Sequence, residues 1–299
     1  MLSFEIEKQD HCRRLESFLR NLLPTSPFAY PRKLIKSGAV RVNSQTAAPD
    51  TFLFLNDCVA IKESAAFTSM LADKQPELDI LYEDDHIAIV NKPASLAMHR
   101  TAEIEENLVD FATTYMARRG TACKLYPVNR LDRGTSGAVI LAKSSSSAGI
   151  FGRQVKDTGL DKIYLALAEG ITDEFGVIDA PLDGKASETR YQTLAKGQGC
   201  CLLAVVPISG RMHQIRRHLE MIGHSVMGDK RYGSHTHPGL NGFALHSFRT
   251  SLAMPNGTTM TVCAPLPEDI RETAARYGIG QETVMAALQK LLGCCNLGD

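Results

Sequence analysis

Apolar side chains recur at helical spacing near the start of the chain. Within residues 13–23, the apolar positions that share one helical face are Leu15, Phe18, Leu19 and Leu22. Prolines interrupt the pattern, and a second helix is predicted to end at Gly38, a residue suited to a helix C-cap. Alternation over residues 39–43 and an apolar run over residues 52–61 then predict two strands. Residues 1–62 are therefore expected to fold as a small α/β unit.

The pattern that follows is typical of a larger domain. Residues 63–78 have no clear period and are interpreted as a linker. From Asp79 onward, two short strands are predicted on either side of an acidic turn, and the main domain is expected to span residues 79–267. Residues 268–299 contain helical patches without a motif, so we expect a helix packed on the surface there.

Composition narrows the class of protein. About 44% of the 299 residues are hydrophobic, enough for a sizeable core, but no run approaches the roughly 18 apolar residues of a membrane span. The first residues lack the basic start and apolar run of a signal peptide, so a cytoplasmic location is expected. The eight cysteines include no CxxC spacing and are expected to be free thiols rather than zinc ligands.

Charge is distributed unevenly although the whole chain is neutral. With 33 basic and 33 acidic residues, nucleic-acid binding would have to depend on a local cluster. Residues 12–41 contain seven basic residues and one acidic residue, Glu16. Two successive basic helices and a short hairpin favour contact with RNA over a merely solvated face. The candidate RNA-binding residues of this segment are Arg13, Arg14, Arg32, Lys33, Lys36 and Arg41.

This segment resembles the small RNA-binding domain named after ribosomal protein S-four. The similarity runs through RRLESFLRNLL, RKLIKSGAVRVNSQTA and PDTFLFLNDCVAI. Such domains usually have glycine in the hairpin and before the last strand, where this chain has Ser44 and Asn56. The two departures make the turns less favourable but leave the basic surface intact.

Asp132 lies in a glycine-containing loop before the apolar run AVILA, which predicts a buried strand. A carboxylate at the mouth of such a strand is held rigidly and partly shielded from water. That environment supports nucleophilic chemistry. On local sequence alone, however, an aspartate before Arg-Gly is more often only a turn residue.

Tyr164 lies in the segment DKIYLALAEG, which alternates as a strand. It is predicted to share one face with Lys162 and two alanines, while the isoleucine and leucines occupy the other face. One aromatic ring beside small side chains leaves room for a planar ligand, and a flipped-out base could stack on it. An ordinary strand tyrosine is the alternative.

The segment SGRMHQIRRHLEMIGH is predicted to be a helix that separates two adjacent arginines. Its apolar face would be formed by Met212, Ile215, Leu219 and Ile222. Arg216 borders that face, and Arg217 points away from it toward solvent. A partly buried Arg216 needs an anionic partner, and Asp132 is the candidate for a bidentate pair that would favour the ionised carboxylate.

Together, these three segments resemble the RluA family of pseudouridine synthases. The family patterns are His-Arg-Leu-Asp followed two residues later by Thr-Ser-Gly, then Lys-x-Tyr, then Gly-Arg-x-His-Gln-Ile-Arg. This chain matches them in order, with Asn129 in place of the first histidine. Further similarity covers residues 79–267, with Ser95 where glycine is usual. The resemblance implies three catalytic residues, with the arginine paired to the aspartate: Asp132, Tyr164 and Arg216.

The resemblance also implies the fold and the reaction. The catalytic domain would be α+β with a mixed, mostly antiparallel sheet, preceded by the small α/β RNA-binding domain. The enzyme would isomerise uridine in RNA: the base leaves its stack, the carbon–nitrogen bond to the sugar breaks, the base turns, and a carbon–carbon bond forms. Because nothing is oxidised or reduced, neither a cofactor nor a metal is expected. A monomer is expected, acting on large-subunit ribosomal RNA or alternatively on transfer RNA, with further RNA contacts from Arg130, Arg211 and His213.

Two other classes of function stay open at this point. One is an RNA-binding or ribosome-assembly protein without catalysis, against which the intact catalytic residues argue. The other is a hydrolase that uses Asp132 to cleave a glycosidic bond, although no motif supplies the second carboxylate that such enzymes use. His235 and His237 could form half of a metal site, but no acidic or cysteine cluster accompanies them, and an exposed loop is the favoured interpretation.

Overall fold

The chain divides into two compact units, Met1–Glu77 and Leu78–Asp299. The computed structural model describes residues 1–7, 10–23, 26–27, 29–72, 78–99, 107–121, 123–157 and 159–293. The end of the predicted linker at residues 73–77 and the end of the chain at residues 294–299 lie outside these ranges. No helix within them is long and apolar enough to cross a membrane.

The smaller unit packs helices against short strands. Its elements are β1 (Leu2–Glu5), β2 (Arg13–Arg14), α1 (Leu15–Leu22), α2 (Tyr30–Lys36), β3 (Val40–Val42), β4 (Gln45–Thr46), β5 (Phe52–Leu53), β6 (Cys58–Ile61) and α3 (Ala65–Ala72). One sheet has the strand order β1-β6-β3-β4, and β2 pairs with β5. The predicted apolar face of α1 is confirmed at Leu15, Phe18 and Leu19, which are buried in the core of this unit.

Three predictions for this unit need correction. The apolar run of residues 52–61 is not one strand, because a turn with Asn56 at φ 67° separates β5 from β6. The basic pair Arg13–Arg14 is extended and pairs with β5, so α1 begins only at Leu15. Residues 63–78 are not simply a linker: α3 carries Phe67, which is fully buried in the core of this unit. Among the α3 side chains that the structure describes, Phe67 and the partly buried Met70 pack on this core, too few positions for a sequence pattern to reveal a period.

The larger unit is an α+β fold, as the sequence predicts. Its elements are β7 (Ile80–Glu83), β8 (Ile87–Lys92), α4 (Leu108–Arg118), β9 (Tyr126–Pro127), β10 (Ser136–Ala142), α5 (Ser145–Asp157), β11 (Asp161–Glu169), β12 (Phe175–Asp179), β13 (Glu188–Lys196), β14 (Cys200–Pro207), α6 (Gln214–Met221), β15 (Leu245–Ala253), β16 (Thr259–Cys263), α7 (Glu268–Arg276) and α8 (Gln281–Gly293). The main sheet runs β12-β13-β14-β11-β15-β10-β8-β7, with β16 on β15 and β9 on β10.

The centre of this sheet holds its parallel pairing. Strand β10, buried along its whole length, runs parallel to β15 through Ser136↔His246 and Gly137↔Ser247, whereas the other described pairings are antiparallel. Gly137 has φ 110°, and a Cβ there would lie 2.3 Å from the carbonyl oxygen of Ser247. Only glycine permits this close approach, which brings the loop before β10 next to the start of β15.

The C-terminal residues belong to the larger unit. The sequence predicts one surface helix in residues 268–299, but the described part contains both α7 and α8. Ile270, Ala274, Val284 and Leu288 are buried against one face of the sheet, together with residues of β11 and β14. The extension is therefore part of the core, because its apolar positions fall on two short helices whose inner faces meet the sheet.

Candidate active site

Asp132 lies in the turn that precedes β10. Its backbone carbonyl accepts a hydrogen bond from the amide of Thr135 at 3.0 Å, and its side chain is 29% exposed. The next residue, Arg133, donates from Nε to the carbonyl oxygen of Ser95 at 2.9 Å. The carboxylate thus keeps access to solvent while its loop is held by the chain that follows β8.

Lys92, at the end of β8, is a site residue that the sequence analysis missed. Its buried ammonium donates to the carbonyl oxygens of Pro93, Leu96 and Arg133 at 2.9, 2.9 and 3.2 Å. Burial lowers the pKa of Lys92 to about 8, and the nearby Asp132 opposes that change. The residue lies within a segment that resembles the RluA family, and this was the signal that could have drawn attention to it.

Arg216 faces two carboxylates at once. Its Nη1 donates to Asp132 Oδ2 at 2.8 Å, while Nε and Nη2 donate to the two oxygens of Asp229 at 2.6 and 2.9 Å. The pair that the sequence predicts between Arg216 and Asp132 is present. It is not the bidentate pair, which Asp229 forms. Asp229 is 1% exposed and lies 13 residues along the chain, in a loop without a periodic pattern.

Two aromatic rings flank the same guanidinium. The Arg216 Cζ atom lies 4.2 Å from the ring centre of Phe243 and 5.0 Å from that of Tyr232. Guanidinium groups stack favourably on aromatic faces. The orientation of Arg216 is therefore fixed by hydrogen bonds in its plane and by rings at its faces.

Helix α6, which carries Arg216, is shorter than the sequence predicts. His213 precedes it with a left-handed φ of 53°, and the helix ends at Met221. Consequently, Met212 and Ile222 lie outside it and are 61% and 37% exposed, so the predicted apolar stripe is wrong at both ends. Only Ile215 and Leu219 of that stripe are buried.

Arg217 does not simply point into solvent. Its Nη1 and Nη2 donate to the carboxylate of Asp183 at 2.9 and 3.1 Å, and the Asp183 side chain is 62% exposed. The adjacent arginines of α6 thus both form carboxylate pairs, one buried and one at the surface.

Tyr164 lies on β11 on the face of the sheet that also carries Ala166 and Ala168, as the alternation predicts, while Leu165 and Leu167 are buried on the other face. Its side chain is 7% exposed. Burial raises the pKa of Tyr164 to about 12, with a further contribution from the nearby Asp132 and an opposing hydrogen bond with Ser247. The phenol is therefore neutral at physiological pH and can act as a ring and a hydrogen-bonding group.

His213 closes the other side of the site. Its Nε2 lies 3.8 Å from Asp132 Oδ1, and its Nδ1 is hydrogen-bonded to the hydroxyl of Tyr232 at 2.9 Å. Burial lowers the pKa of His213, although the Asp132 carboxylate acts in the opposite direction. The structure thus brings Asp132, Tyr164, Arg216 and His213 together.

The remaining candidate RNA-binding residues occupy varied environments. Arg130 and Arg211 are exposed in the larger unit, and Arg211 donates to the carbonyl oxygen of Ala186 at 3.2 Å through both Nε and Nη2. In the smaller unit, Arg13 pairs with Asp10 at 2.8 Å and Arg32 lies 3.6 Å from Glu16. The exposed basic side chains of that unit include Arg14, Lys33, Lys36 and Arg41.

The two positions that depart from the RluA pattern are structurally distinct. Asn129 is 5% exposed, and its Oδ1 accepts a hydrogen bond from the amide of Ile140 at 2.8 Å. Within the described part of the chain its Nδ2 has no hydrogen-bond partner. Ser95 is exposed and has φ 67°, a conformation that explains why glycine is usual there.

Of His235 and His237, which the sequence predicts in an exposed loop, only His235 is exposed. His237 is largely buried and contacts Glu169 at 3.3 Å and the hydroxyl of Tyr277 at 3.1 Å. Across the described ranges, no group of three or more His, Cys, Asp or Glu side chains is arranged to hold a metal ion.

Comparisons with known proteins identify the family. Residues 86–221 match the family model described as RNA pseudouridylate synthase. The chain is 31% identical to "Ribosomal large subunit pseudouridine synthase C" of Vibrio parahaemolyticus, with 90% of this chain and 94% of that protein covered. The chain belongs to the RNA pseudouridylate synthase family. The protein of the same name from Escherichia coli K12 is also 31% identical, with 87% of this chain and 91% of that protein covered.

Solved structures agree on the fold of this pseudouridine synthase. "Human RNA Pseudouridylate Synthase Domain Containing 4" superposes with a TM-score of 0.58 at 21% identity, covering 67% of this chain and 92% of that one. "Human RNA Pseudouridylate Synthase Domain Containing 1" gives 0.53 at 24% identity, covering 64% and 86%. The RluA resemblance and the α+β fold are thus confirmed, and the enzyme is an isomerase that converts uridine to pseudouridine in RNA.

Proposed function

We propose that this pseudouridine synthase modifies uridines of large-subunit ribosomal RNA and that Asp132 is its nucleophile. The observation that carries the second part is the environment of the carboxylate. Asp132 keeps 29% of its side chain exposed while Arg216 holds one oxygen at 2.8 Å. A nucleophile needs both properties, because it must meet the substrate in a fixed orientation.

Tyr164 and Arg216 have separate roles in this proposal. A uridine that leaves its stack brings its ring to the face of β11, where the buried Tyr164 provides a flat apolar surface beside small side chains. Arg216 orients Asp132 by donating to one of its carboxylate oxygens, and its own position is fixed by Asp229. Asp132 attacks the nucleotide, the carbon–nitrogen bond to the sugar breaks, and the base turns. The carbon–carbon bond then forms as Asp132 is released; the ring carbon loses its proton and the freed ring nitrogen gains one, so that product and substrate are isomers.

Two observations support ribosomal RNA as the substrate. Two similar bacterial proteins, which align with this chain over 94% and 91% of their lengths, are named "Ribosomal large subunit pseudouridine synthase C". The smaller unit presents exposed basic side chains at Arg14, Lys33, Lys36 and Arg41, which suit the phosphate backbone. Residues of this unit form the RNA-binding domain, and Arg130, Arg211 and His213 contact RNA near the site. The enzyme acts in the cytoplasm as a monomer.

Pairing a purified variant with RNA mapping tests both parts. Asp132→Asn keeps the shape of the side chain but removes its charge, so turnover falls by several orders of magnitude while RNA binding is retained. Substantial residual isomerisation by this variant would exclude Asp132 as the nucleophile. Pseudouridines are also mapped in RNA from cells with and without the protein. Its absence should remove pseudouridines from large-subunit ribosomal RNA, and loss from transfer RNA alone would overturn the proposed substrate.

A further inference from the structure

The segment of residues 229–243, called here the clamp loop, contacts Arg216 with both its first and its last residue. Its first residue, Asp229, forms the bidentate pair, and its last residue, Phe243, stacks on the guanidinium at 4.2 Å. The same end of the loop touches the turn of Asp132: Phe243 and Gly242 lie so close to Gly134 that a Cβ on Gly134 would be 2.5 Å from the Phe243 ring. The position of the clamp loop therefore sets the position of both partners in the Arg216–Asp132 pair.

The middle of the clamp loop is held by helix α7 and the residue after it. Arg276 donates from Nη1 to the carbonyl oxygen of Pro238, and the amide of Asn241 donates to Asp269 Oδ2 at 3.0 Å. Tyr277 is hydrogen-bonded through its hydroxyl to His237 Nδ1 at 3.1 Å, with the two rings in edge contact. These contacts come from both ends of α7, so the helix spans the loop.

A second anchor lies at the end of β11. Glu169 Oε1 accepts a hydrogen bond from Ser234 Oγ at 2.5 Å and lies 3.3 Å from His237 Nε2. Ser234 Oγ in turn accepts from the amide of Gly228 at 2.9 Å, next to Asp229. The loop is thus fixed at Glu169 on one side and by α7 on the other, and His237 joins the two anchors.

We propose that Arg276 and Tyr277 are positioning residues for pseudouridine formation. They act through the clamp loop: by holding its middle they keep Asp229 and Phe243 against Arg216, and Arg216 against Asp132. This inference rests on the proposed role of Asp132. It gives the C-terminal helices a function in the reaction although neither residue touches the reacting atoms. A displacement of about 1 Å in a catalytic group can reduce a rate by roughly 100-fold, so a loosened loop is expected to affect turnover.

The test compares two sets of substitutions in the full-length protein. Arg276→Met combined with Tyr277→Phe removes the two side-chain hydrogen bonds that these residues form with the clamp loop, at Pro238 and His237, with little change in apolar surface. Arg271→Met is the matched control, because Arg271 lies on the same helix and pairs with Glu268 of that helix. We expect the double variant to lower kcat by about 10- to 100-fold with KM for RNA and the melting temperature nearly unchanged. The control should retain the wild-type kcat.

Combining substitutions distinguishes a positioning role of Arg276 and Tyr277 from a purely structural one. Phe243→Leu removes the ring from Arg216 and also lowers kcat. If Arg276 and Tyr277 act through the same guanidinium, adding Phe243→Leu to the double variant causes much less than the product of the two losses. Multiplicative losses, an unchanged kcat, or a loss expressed only in KM or melting temperature would each overturn the proposal.

A spectroscopic readout keeps this inference distinct from the identity of the nucleophile. The Nε proton of Arg216 is held by Asp229 and should exchange slowly with solvent in nuclear magnetic resonance spectra. We expect its exchange to accelerate in the Arg276→Met, Tyr277→Phe protein and not in Arg271→Met. Unchanged exchange would refute the positioning role even if Asp132→Asn proves inactive. Faster exchange would sustain it even if Asp132→Asn retains activity.

Discussion

Arg216 and Asp229 are joined by two parallel hydrogen bonds inside the protein, where they are 6% and 1% exposed. The one cation is shared with a second carboxylate, Asp132, at 2.8 Å. Two carboxylates around a single guanidinium leave an excess negative charge, and the buried ammonium of Lys92 lies close enough to Asp132 to interact with it. Asp229 therefore fixes the cation, while Asp132 is the carboxylate left partly open to solvent.

Neutralising Asp229 should damage both stability and activity. Asp229→Asn removes the fully buried carboxylate that holds Nε and Nη2 of Arg216 and leaves the partly exposed Asp132 as the charged partner of the guanidinium. Breaking a buried pair from one side costs up to about 3–5 kcal/mol. We expect that loss in denaturant unfolding and an almost complete loss of turnover. Asp183→Asn is the matched control, since it breaks the neighbouring exposed pair with Arg217, and its unfolding curve should coincide with that of the unmodified protein.

The sequence predictions that succeeded depended on patterns of neighbouring residues and on short motifs. The buried strand β10 and the two-faced strand β11 follow from apolar runs and alternation, which depend only on neighbouring residues. The roles of Asp132, Tyr164 and Arg216 came from motif resemblance, and the structure brings these residues together. By contrast, Asp229 lies in a loop with no period, and its pairing depends on the folding of a segment 13 residues away.

Lys162 should make stability depend on pH. Burial lowers its pKa to about 8 from 10.5, so the folded protein carries a penalty for the charged form at neutral pH. Between pH 8 and 10.5 the unfolded chain binds more protons, and stability rises with pH as the penalty is lost. Lys162→Met should therefore be more stable at pH 7, by at most about 3 kcal/mol because the side chain retains some contact with water.

Melting curves across pH 7 to 10.5 measure this difference, which should shrink toward zero at the upper end. Lys290→Met, at an exposed lysine of α8, should leave the curve unchanged. Parallel curves for the unmodified protein and Lys162→Met would contradict the assignment. In Lys162→Met, stability should still depend on pH to some extent, because the pKa of Lys92 is lowered to about 8 as well.

Ser95→Gly should stabilise the protein. Ser95 has φ 67°, and a side chain in this left-handed region costs about 1–2 kcal/mol. Glycine avoids that cost, but part of the gain is lost because glycine has more conformational freedom in the unfolded chain. We expect a net gain of about 1 kcal/mol, seen as a higher melting temperature. The hydrogen bond from Arg133 goes to the Ser95 backbone and is kept. Ser95→Ala, which retains the Cβ, should give no such gain.

The boundary of the smaller unit can be tested by deletion. A protein lacking residues 1–77 should fold and bind RNA more weakly, with a flatter salt dependence, because the basic side chains that we propose to contact phosphate are removed. A protein lacking only residues 1–62 keeps α3 and exposes Phe67, so it should be less soluble. Filter binding at several salt concentrations and light scattering measure the two effects. An unchanged salt slope would show that the deleted unit does not contact RNA.

The sequence underestimated how far residues 63–72 and 268–293 are integrated into their units. In α3 the buried anchor is Phe67, and each of the last two helices buries a short stretch of one face, such as Ile270 and Ala274 or Val284 and Leu288. Short segments of this kind are fixed by the surface they pack on rather than by their own periodicity. The same reason explains the error at Met212 and Ile222, where a left-handed His213 and an early helix end override the apolar spacing.

The parallel pairing of β10 with β15 has a consequence for the order of events during synthesis. Asp132 leaves the ribosome 84 residues before Arg216, and Ser136 leaves 110 residues before the His246 to which it pairs. At about 5–20 residues per second, the turn of Asp132 waits several seconds for the segments that hold it. A nascent chain interrupted between Asp132 and β15 would carry the turn of Asp132 without the segments that hold it. The residues around Asp132 can therefore come together only after β15 has been made.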